Sequence, residues 1–246
     1  MDVRPEWYDA IGRRTSRRLF DGRSVPPDVR ERLEVFCDGA SAPAGAPGSP
    51  EVQPGDVTAP ARACLVDDPA HLLFTGLVGG YGKVTGTPVA AAFIGRAPSG
   101  GPISDDVQTA AGYLGEGLIL EATGLGLGTC WIAGSFDRTN ADELVDLAPG
   151  EQIVAVTPLG YATPRPSNGE RLLRTMVKAS ARLSVEKLAP GVLDGGWPQW
   201  AVTAVQAARL APSGANRQPW RFRLDGDALV MGRADRLYWT APIDFG

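Results

Sequence analysis

The residues best suited to chemistry are four arginines that bracket two hydroxyl side chains near the N-terminus. The segment Arg13–Arg18 reads Arg-Arg-Thr-Ser-Arg-Arg and follows a helix predicted over residues 5–14. Guanidinium groups form charge-assisted, bidentate hydrogen bonds with phosphate oxygens, and the hydroxyls of Thr15 and Ser16 add donors. A run of charges is more often a solvated surface. The interleaved hydroxyls and the apolar anchor Phe20 nevertheless favour anion binding.

A second candidate is a compact polar loop between Pro212 and Pro219. An alanine-rich run predicts a helix over residues 200–210. Proline ends this helix because it lacks an amide proton and disfavours helical geometry in the residue before it. Hydrogen bonds to a heteroaromatic ring or a ribityl-like tail are available from three loop side chains: Ser213, Asn216 and Gln218. The alternative is an ordinary helix cap and turn.

The chain has a single histidine, so most cofactor-independent catalytic sites that rely on histidine are excluded. A Ser-His-Asp or Cys-His arrangement would have to use His71. A pairing of His71 with Cys64 is kept as a minor alternative. The histidine and the cysteines lack the spacing of zinc ligands, so we expect no metal. If the chain is an enzyme, we therefore expect a bound cofactor to carry the chemistry.

Composition and charge are typical of a soluble globular protein. The 246 residues allow one large domain or two small ones, and the net charge of −4 gives no reason to expect nucleic acid or an anionic membrane. No apolar run of ~18 residues is present to span a bilayer, and the polar N-terminus lacks a signal peptide. Cys37, Cys64 and Cys130 favour thiols in a reducing compartment. We expect a cytoplasmic protein.

Helices and strands alternate along the chain and must position these residues. Helices are predicted over residues 5–14, from about 25, over 104–123, from about 139, over 200–210, and as a basic surface helix within 170–189. Strands are predicted over residues 63–66, 88–95, 129–134 and 153–161, and from 220. The glycines of 124–128 follow a helix and precede a strand, which is the reverse of a dinucleotide-binding motif. Loops are predicted over 38–55 and 79–83, and the alternation indicates an α/β or α+β fold.

Three stretches of the chain together suggest a family. They are residues 11–20 (IGRRTSRRLF), residues 122–131 (ATGLGLGTCW) and residues 211–220 (APSGANRQPW). With them the chain resembles the FMN-dependent nitroreductase superfamily, and more closely its tandem branch, known as putative TM nitroreductases. The resemblance covers nearly the whole chain. It implies an α+β fold, a three-layer α/β/α sandwich in which two tandem half-units form a pseudo-dimer around a mixed, mainly antiparallel sheet.

The resemblance also implies which residues hold FMN, with NADH or NADPH as electron donor. Arg14, Ser16 and Arg18 match positions around the FMN phosphate and pyrimidine, and Lys83 and Arg182 match by approximate placement. The implied cofactor-binding residues are Arg14, Thr15, Ser16, Arg18, Lys83, Ile132, Ala133, Gly134, Arg182, Pro212, Ser213, Asn216 and Gln218. No side chain is implied as a catalytic acid or base, because hydride passes between nicotinamide, flavin N5 and substrate.

The arginine motif and the loop motif lie near opposite ends of this chain. In ordinary nitroreductases they lie close together, and two subunits share each FMN. We therefore expect one flavin site per chain, built from a first unit over residues 1–193 and an incomplete second unit over residues 194–246. The tandem branch would continue past Gly246 with a further helix and strand. We accordingly expect dimerisation through residues 220–246 or poor solubility, and reduced flavin retention.

The implied function is that of an FMN-dependent oxidoreductase that reduces an electron-poor aromatic or quinone-like small molecule with NAD(P)H. Two alternatives stay open. The first is a flavin-binding or flavin-storing protein, or a degenerate remnant, without turnover of its own. The second is a module that binds a phosphorylated metabolite through the arginine motif alone. No nucleic-acid or membrane partner is expected.

Overall fold

The computed structural model describes residues 4–39, 60–74, 83–97, 101–166, 171–172, 175, 178 and 180–234. The helices are α1 (Glu6–Arg13), α2 (Pro27–Gly39), α3 (Asp105–Gly124), α4 (Arg138–Leu144), α5 (Val185–Leu188) and α6 (Gln199–Ala208). The strands are β1 (Ala61–Asp67), β2 (Val89–Arg96), β3 (Glu151–Leu159), β4 (Trp220–Asp225) and β5 (Ala228–Arg233). Outside the described residues lie residues 40–59 of the N-terminal half, residues 75–82 with most of the glycine-rich turn, and residues 235–246.

A three-stranded antiparallel sheet in the order β1-β2-β3 forms the centre of the larger part of the protein. Its middle strand carries an apolar run, and every residue from Val89 to Gly95 is buried. A strand that is apolar on both faces needs a cover on each side. Helices α1, α2 and α3 cover one face, whereas Phe74, Phe136 and neighbouring side chains pack on the other. The predicted α+β class is confirmed.

Helix α3 is the main helix of this core, as its sequence pattern predicts. The Ser104 hydroxyl accepts a hydrogen bond from the Val107 N–H at 3.4 Å, which caps the first turn. Leu114 and Leu118 are completely buried. Near the C-terminal end, the buried carboxylate of Glu121 accepts hydrogen bonds from three side chains, those of Arg4, Trp7 and Arg32. A single buried charge therefore ties the N-terminal segment, α1 and α2 to α3.

A separate apolar cluster joins α5, α6 and the β4–β5 hairpin. Leu188, Val205 and Trp220 are its most buried large side chains, with Val192 and Phe222 beside them. The predicted helix after residue 200 and the predicted strand at 220 are confirmed. The cluster contains residues from both sides of the boundary predicted at residue 193, so the polypeptide around α5 packs with the second unit.

The strand predicted over residues 129–134 is wrong as a continuous element. Thr129 forms an isolated parallel bridge with Ser16, and Ile132 forms an isolated antiparallel bridge with Val156. Between them, the Cys130 N–H donates to the Thr157 hydroxyl at 3.0 Å instead of to a backbone carbonyl. A side-chain acceptor in place of a carbonyl interrupts the ladder. This stretch therefore bridges two neighbours without forming a regular strand.

The basic helix predicted within residues 170–189 is confirmed only in part: residues 171, 172 and 175 are helical, but the chain does not continue as one helix to residue 189. Lys178 has a left-handed backbone, with φ at 47°, which ends any right-handed helix. Residues 181–184 are irregular, and Ser184 then caps the one-turn helix α5 by accepting a hydrogen bond from the Lys187 N–H. The break places Arg182 on an irregular segment between two helical turns.

Candidate functional site

The arginine motif lies on an extended segment that follows α1. The chain leaves the helix at Arg14, where ψ is 128°. Backbone hydrogen bonds then fix the segment on both sides: the Arg17 N–H donates to the Thr129 carbonyl at 2.8 Å, and the Thr85 N–H donates to the Arg18 carbonyl at 3.0 Å. In extended backbone, successive side chains point to opposite sides. This geometry groups Arg14 with Ser16 and Arg18, while Thr15 and Arg17 alternate with them.

Phe20 anchors the far end of this segment. Its ring is 4% exposed and packs against the backbone at Gly128 and Gly160. A side chain at Gly86 would overlap the Phe20 carbonyl, and Gly86 has a positive φ of 85° that glycine adopts without strain. Arg17, on the opposite side of the segment from Arg14 and Arg18, donates a hydrogen bond to the Thr163 carbonyl. The motif therefore holds its arginines in a rigid frame.

Arg14 is held by a carboxylate on α3. Its side chain is 6% exposed, and its Nε lies 3.5 Å from Oε1 of Glu116. The second oxygen of Glu116 accepts a hydrogen bond from the indole Nε1 of Trp131 at 2.7 Å. Trp131 fits there because Gly115 has no side chain, since a Cβ at that position would overlap the indole. Glu116 thus orients one edge of the Arg14 guanidinium.

Arg182 lies close enough to Arg14 and to Arg209 for their positive charges to act on it. Burial lowers the pKa of Arg182 below its usual range, and the nearby positive charges of Arg14 and Arg209 lower it further. Arg209 is fixed by a hydrogen bond from its Nε to the Leu183 carbonyl at 2.6 Å. Arg182 is thus partly buried and repelled by two neighbouring guanidinium groups, and a bound anion would relieve that repulsion. The donor set is therefore suited to a phosphate group.

The polar loop lies next to Arg182. A short 3-10 turn, Gly214–Asn216, forms its centre, and Ala215, Asn216 and Gln218 all have positive φ values near 50°. Asn216 accepts a hydrogen bond from Nη1 of Arg182 at 3.1 Å through its side-chain oxygen. The Ser213 hydroxyl closes the loop by accepting from the Gln218 N–H at 2.9 Å. The structure thus links the arginine motif and the loop motif through Arg182.

For the other residues predicted for the site, all in the described part of the chain, the structure gives the exposure and backbone contacts but no hydrogen bond to Arg14 or Arg182. Lys83 is exposed and comes two residues before Thr85, whose backbone pairs with the arginine segment. Ile132 is buried, and its N–H and C=O both pair with Val156. Gly134 is exposed with open space where a Cβ would be. Three further predicted residues are half-buried, namely Thr15, Ala133 and Pro212.

Reasoning from the sequence missed three residues of this arrangement: Glu116, Trp131 and Arg209. Glu116 and Glu121 are the two glutamates of α3, and both lie in its apolar stretch. That signal could have identified Glu116, because a carboxylate removed from water needs a donor. Arg209 sits at the end of α6 next to the loop motif, but its sequence position does not distinguish it from a solvated arginine.

The single histidine does not form a catalytic pair. Its Nδ1 lies 2.8 Å from the Thr87 carbonyl, while Cys64 lies on β1 opposite Ala92. Burial raises the pKa of the Cys64 thiol, which disfavours the reactive thiolate. The structure therefore gives no support to a pairing of His71 with Cys64.

Comparison with known proteins agrees with the fold, which is that of an α+β protein of the nitroreductase class. Residues 99–246, more than half of the chain, match the family model described as Putative TM nitroreductase. The chain therefore belongs to this family. No curated protein matches it. Nowhere in the described ranges is a helix both long and apolar enough to cross a bilayer.

Two solved structures are similar to the whole chain or most of it. A putative nitroreductase from Thermotoga maritima is 19% identical, with a TM-score of 0.56, over 100% of this chain and 81% of that chain. A nitroreductase family protein from Streptococcus pneumoniae is 19% identical, with a TM-score of 0.50, over 74% of this chain and 98% of that chain. At this identity the likeness establishes the fold.

Proposed function

We propose that this protein is an FMN-dependent oxidoreductase of the nitroreductase type, which reduces an electron-poor aromatic or quinone-like small molecule with NAD(P)H. Membership of the nitroreductase family supports the reaction class. The observation that carries the proposal is Arg182, which is hydrogen-bonded to Asn216 of the second motif and whose pKa is lowered by burial and by the positive charge of Arg14 of the first motif. The cluster is cationic and partly buried, which is what the dianionic phosphate of FMN requires.

Within this proposal, the residues of the chain bind and orient the cofactor. Arg14 and Arg182 would hold the phosphate, and Arg18 and Ser16 would lie toward the pyrimidine. Lys83 is a further cation beside the same segment. Gly134 leaves room for close approach of a flat ring, because no atom occupies the position of a Cβ there. Thr15, Ile132, Ala133, Pro212 and Ser213 would line the site.

FMN, when bound, would accept hydride from the nicotinamide and pass it to the acceptor. The role of the protein's own residues is to bind FMN, to align the nicotinamide and then the acceptor with it, and to exclude water from the flavin face. We assign no side chain as a proton donor or acceptor. The proposed pseudo-dimer, with units over residues 1–193 and 194–246, would complete one site per chain.

An anaerobic titration with NADPH and with NADH tests the proposal. We expect purified protein reconstituted with FMN to be yellow, to lose its flavin absorbance on addition of a nicotinamide donor, and to regain it on addition of a quinone. Bound flavin that is not reduced by either donor would indicate a flavin-storing protein. Phosphate binding without any flavin spectrum would instead support a module for phosphorylated metabolites.

A further inference from the structure

The side chain of Asn216 is fully engaged inside the protein. Its amide nitrogen donates to the Lys178 carbonyl at 2.7 Å and to the Ala181 carbonyl at 3.0 Å. Its amide oxygen accepts from Nη1 of Arg182 at 3.1 Å. An asparagine amide has two N–H donors, and both are used here. Asn216 therefore has no N–H left to donate to a ligand while these contacts last.

Gln218 is engaged in the same way on the same segment. Its side chain is buried, with 4% of the residue exposed. Its amide oxygen accepts from the Leu183 N–H at 2.8 Å, and its amide nitrogen donates to the Ala181 carbonyl at 3.3 Å. Asn216 and Gln218 thus hydrogen-bond to the backbone of Ala181 and Leu183, the residues on either side of Arg182. The loop motif therefore fixes the backbone segment that carries the Arg182 guanidinium.

Arg182 needs such support, because its neighbours repel it. The positive charges of Arg14 and Arg209 lie close to it. A long, mobile side chain surrounded by like charges turns toward solvent unless fixed acceptors hold it. The acceptors here include the Asn216 oxygen, the Ala181 carbonyl at 3.1 Å from Nη1 and the Leu210 carbonyl at 3.3 Å from Nη2. Asn216 supplies the side-chain acceptor and also fixes the backbone of the arginine.

The loop adopts a backbone suited to this task. Ala215, Asn216 and Gln218 have φ values of 51°, 57° and 51°. Residues other than glycine adopt this left-handed region only when tertiary contacts compensate, and asparagine does so at the lowest cost. The contacts that compensate here are those to residues 178–183.

We propose that Asn216 is a positioning residue that acts on the phosphate of the ligand through Arg182, with Gln218 supporting the same segment, and that it does not bind the flavin directly. The inference rests on the proposed function, because it concerns how the FMN site is assembled. It changes the role that the motif alone suggests, in which Asn216 and Gln218 offer hydrogen bonds to the ring or its tail.

Dissociation constants for FMN and for riboflavin, which lacks the phosphate, test this role. The proteins are the wild type, Asn216→Gly, Arg182→Gln and the double variant, with Asn140→Ala as a matched control on α4. Glycine keeps the left-handed backbone at position 216. We expect Asn216→Gly to weaken FMN binding about tenfold and to leave riboflavin binding unchanged. The double variant should bind FMN no more weakly than Arg182→Gln alone, because the two residues act in series.

The outcomes separate this inference from the proposed function. A wild type that binds no FMN overturns both. A wild type that binds FMN, with losses that add in the double variant or with riboflavin weakened equally, overturns the positioning role alone. If Asn216→Gly does not fold, the same cycle is run with Asn216→Ala, which removes the same acceptor oxygen without adding a charge beside the phosphate; the neighbouring Ala215 already has a left-handed backbone. If riboflavin binds too weakly to measure, the FMN affinities of the single and double variants decide: losses that add contradict the positioning role, and losses that do not add support it.

Discussion

At the scale of single residues, the candidate site depends on which neighbours fix the position of each arginine. Arg14 is 6% exposed and is oriented by Glu116, whereas Arg17 in the same motif is turned toward the Thr163 carbonyl. Two arginines of one short segment therefore make different contacts. A charge count along the segment does not reveal this, because alternation along extended backbone decides which side chains share a side.

Replacing Arg14 or Arg18 with alanine should weaken FMN binding. Each charge-assisted hydrogen bond to the phosphate or pyrimidine side contributes about 1.5–3 kcal/mol, so we expect a loss of about ten- to more than a hundredfold in affinity. Flavin fluorescence titration measures it. Arg23→Ala is the control, because Arg23 is exposed and pairs with Asp21. Unchanged affinity in both variants, with the fold intact by circular dichroism, would remove the arginine motif from the site.

At the scale of elements, small residues and one ion-pair cluster set how the pieces meet. Gly115 lets Trp131 lie against α3, and the indole in turn holds the Glu116 carboxylate that orients Arg14. At the other end of the sheet, Glu151 at the start of β3 receives Arg62 from β1 and Arg96 from β2. One carboxylate thus joins all three strands.

Gly115→Ala should destabilise the protein although alanine is the better helix former. The new methyl overlaps the Trp131 ring, and overpacking costs about 1–3 kcal/mol, which exceeds the roughly 1 kcal/mol gained in helix propensity. Gly12→Ala on α1 is the matched control, since no atom lies within 4 Å of the position that its new methyl group would occupy, and it should be neutral or stabilising. Urea unfolding compares the two. A Gly115→Ala protein as stable as the Gly12→Ala protein would contradict the packing role of Gly115.

Glu151→Gln should remove part of the acid sensitivity of the fold. The hydrogen bonds from Arg62 hold the pKa of Glu151 below its ordinary value of 4.5. A lowered native pKa means that the ionised carboxylate stabilises the fold above that ordinary value, and that this contribution is lost as the pH falls through the native pKa. At neutral pH we expect Glu151→Gln to lose about 1–3 kcal/mol of unfolding free energy.

Urea unfolding between roughly pH 3 and pH 7 measures this dependence for the wild type and the variant. The curve of Glu151→Gln should be flatter on the acid side. The control is Asp225→Asn, whose partner Arg223 is exposed, as Asp225 itself is, so its loss should stay below about 0.5 kcal/mol. Parallel curves for the wild type and Glu151→Gln would show that Glu151 does not contribute to the acid transition.

At the scale of the whole molecule, the proposed site combines residues from distant parts of one chain. Arg14 follows α1, Arg182 precedes α5, and Asn216 lies in the polar loop after α6. The proposed fused pseudo-dimer follows from this arrangement. Because Arg182 hydrogen-bonds to Asn216 and lies near the charge of Arg14, we infer that one chain contains the parts of one site.

Flavin should therefore bind at about one FMN per chain, which calorimetry or the absorbance of reconstituted protein measures. A mixture of Arg14→Ala and Arg182→Ala chains provides the sharper test. If each chain builds its own site, the mixture has no intact site and should bind FMN as weakly as either variant alone. Recovery of wild-type affinity in part of the mixed population would show that the arginine and loop motifs come from different chains.

Much of the fold could be predicted from local signals. The Ser104 cap, the apolar spacing along α3 and the continuous apolar run of β2 each act over a few residues, so periodicity and capping chemistry determined those elements. The order of the three motifs was also enough to indicate the family. Local signals failed at residues 129–134 and, in part, over 170–189, where the outcome depended on partners far away in the chain.

The sequence by itself determined the inventory of the candidate site, namely arginines with hydroxyls near one end and a polar loop near the other. Tertiary structure alone decided how they are used. Thr157 interrupts the strand at Cys130, Glu116 orients Arg14, and Asn216 is turned inward to hold Arg182. The physical reason is that burial and repulsion between charges depend on distances across the fold. A residue's type states which bonds it can make, but only its neighbours in space determine which of them it makes.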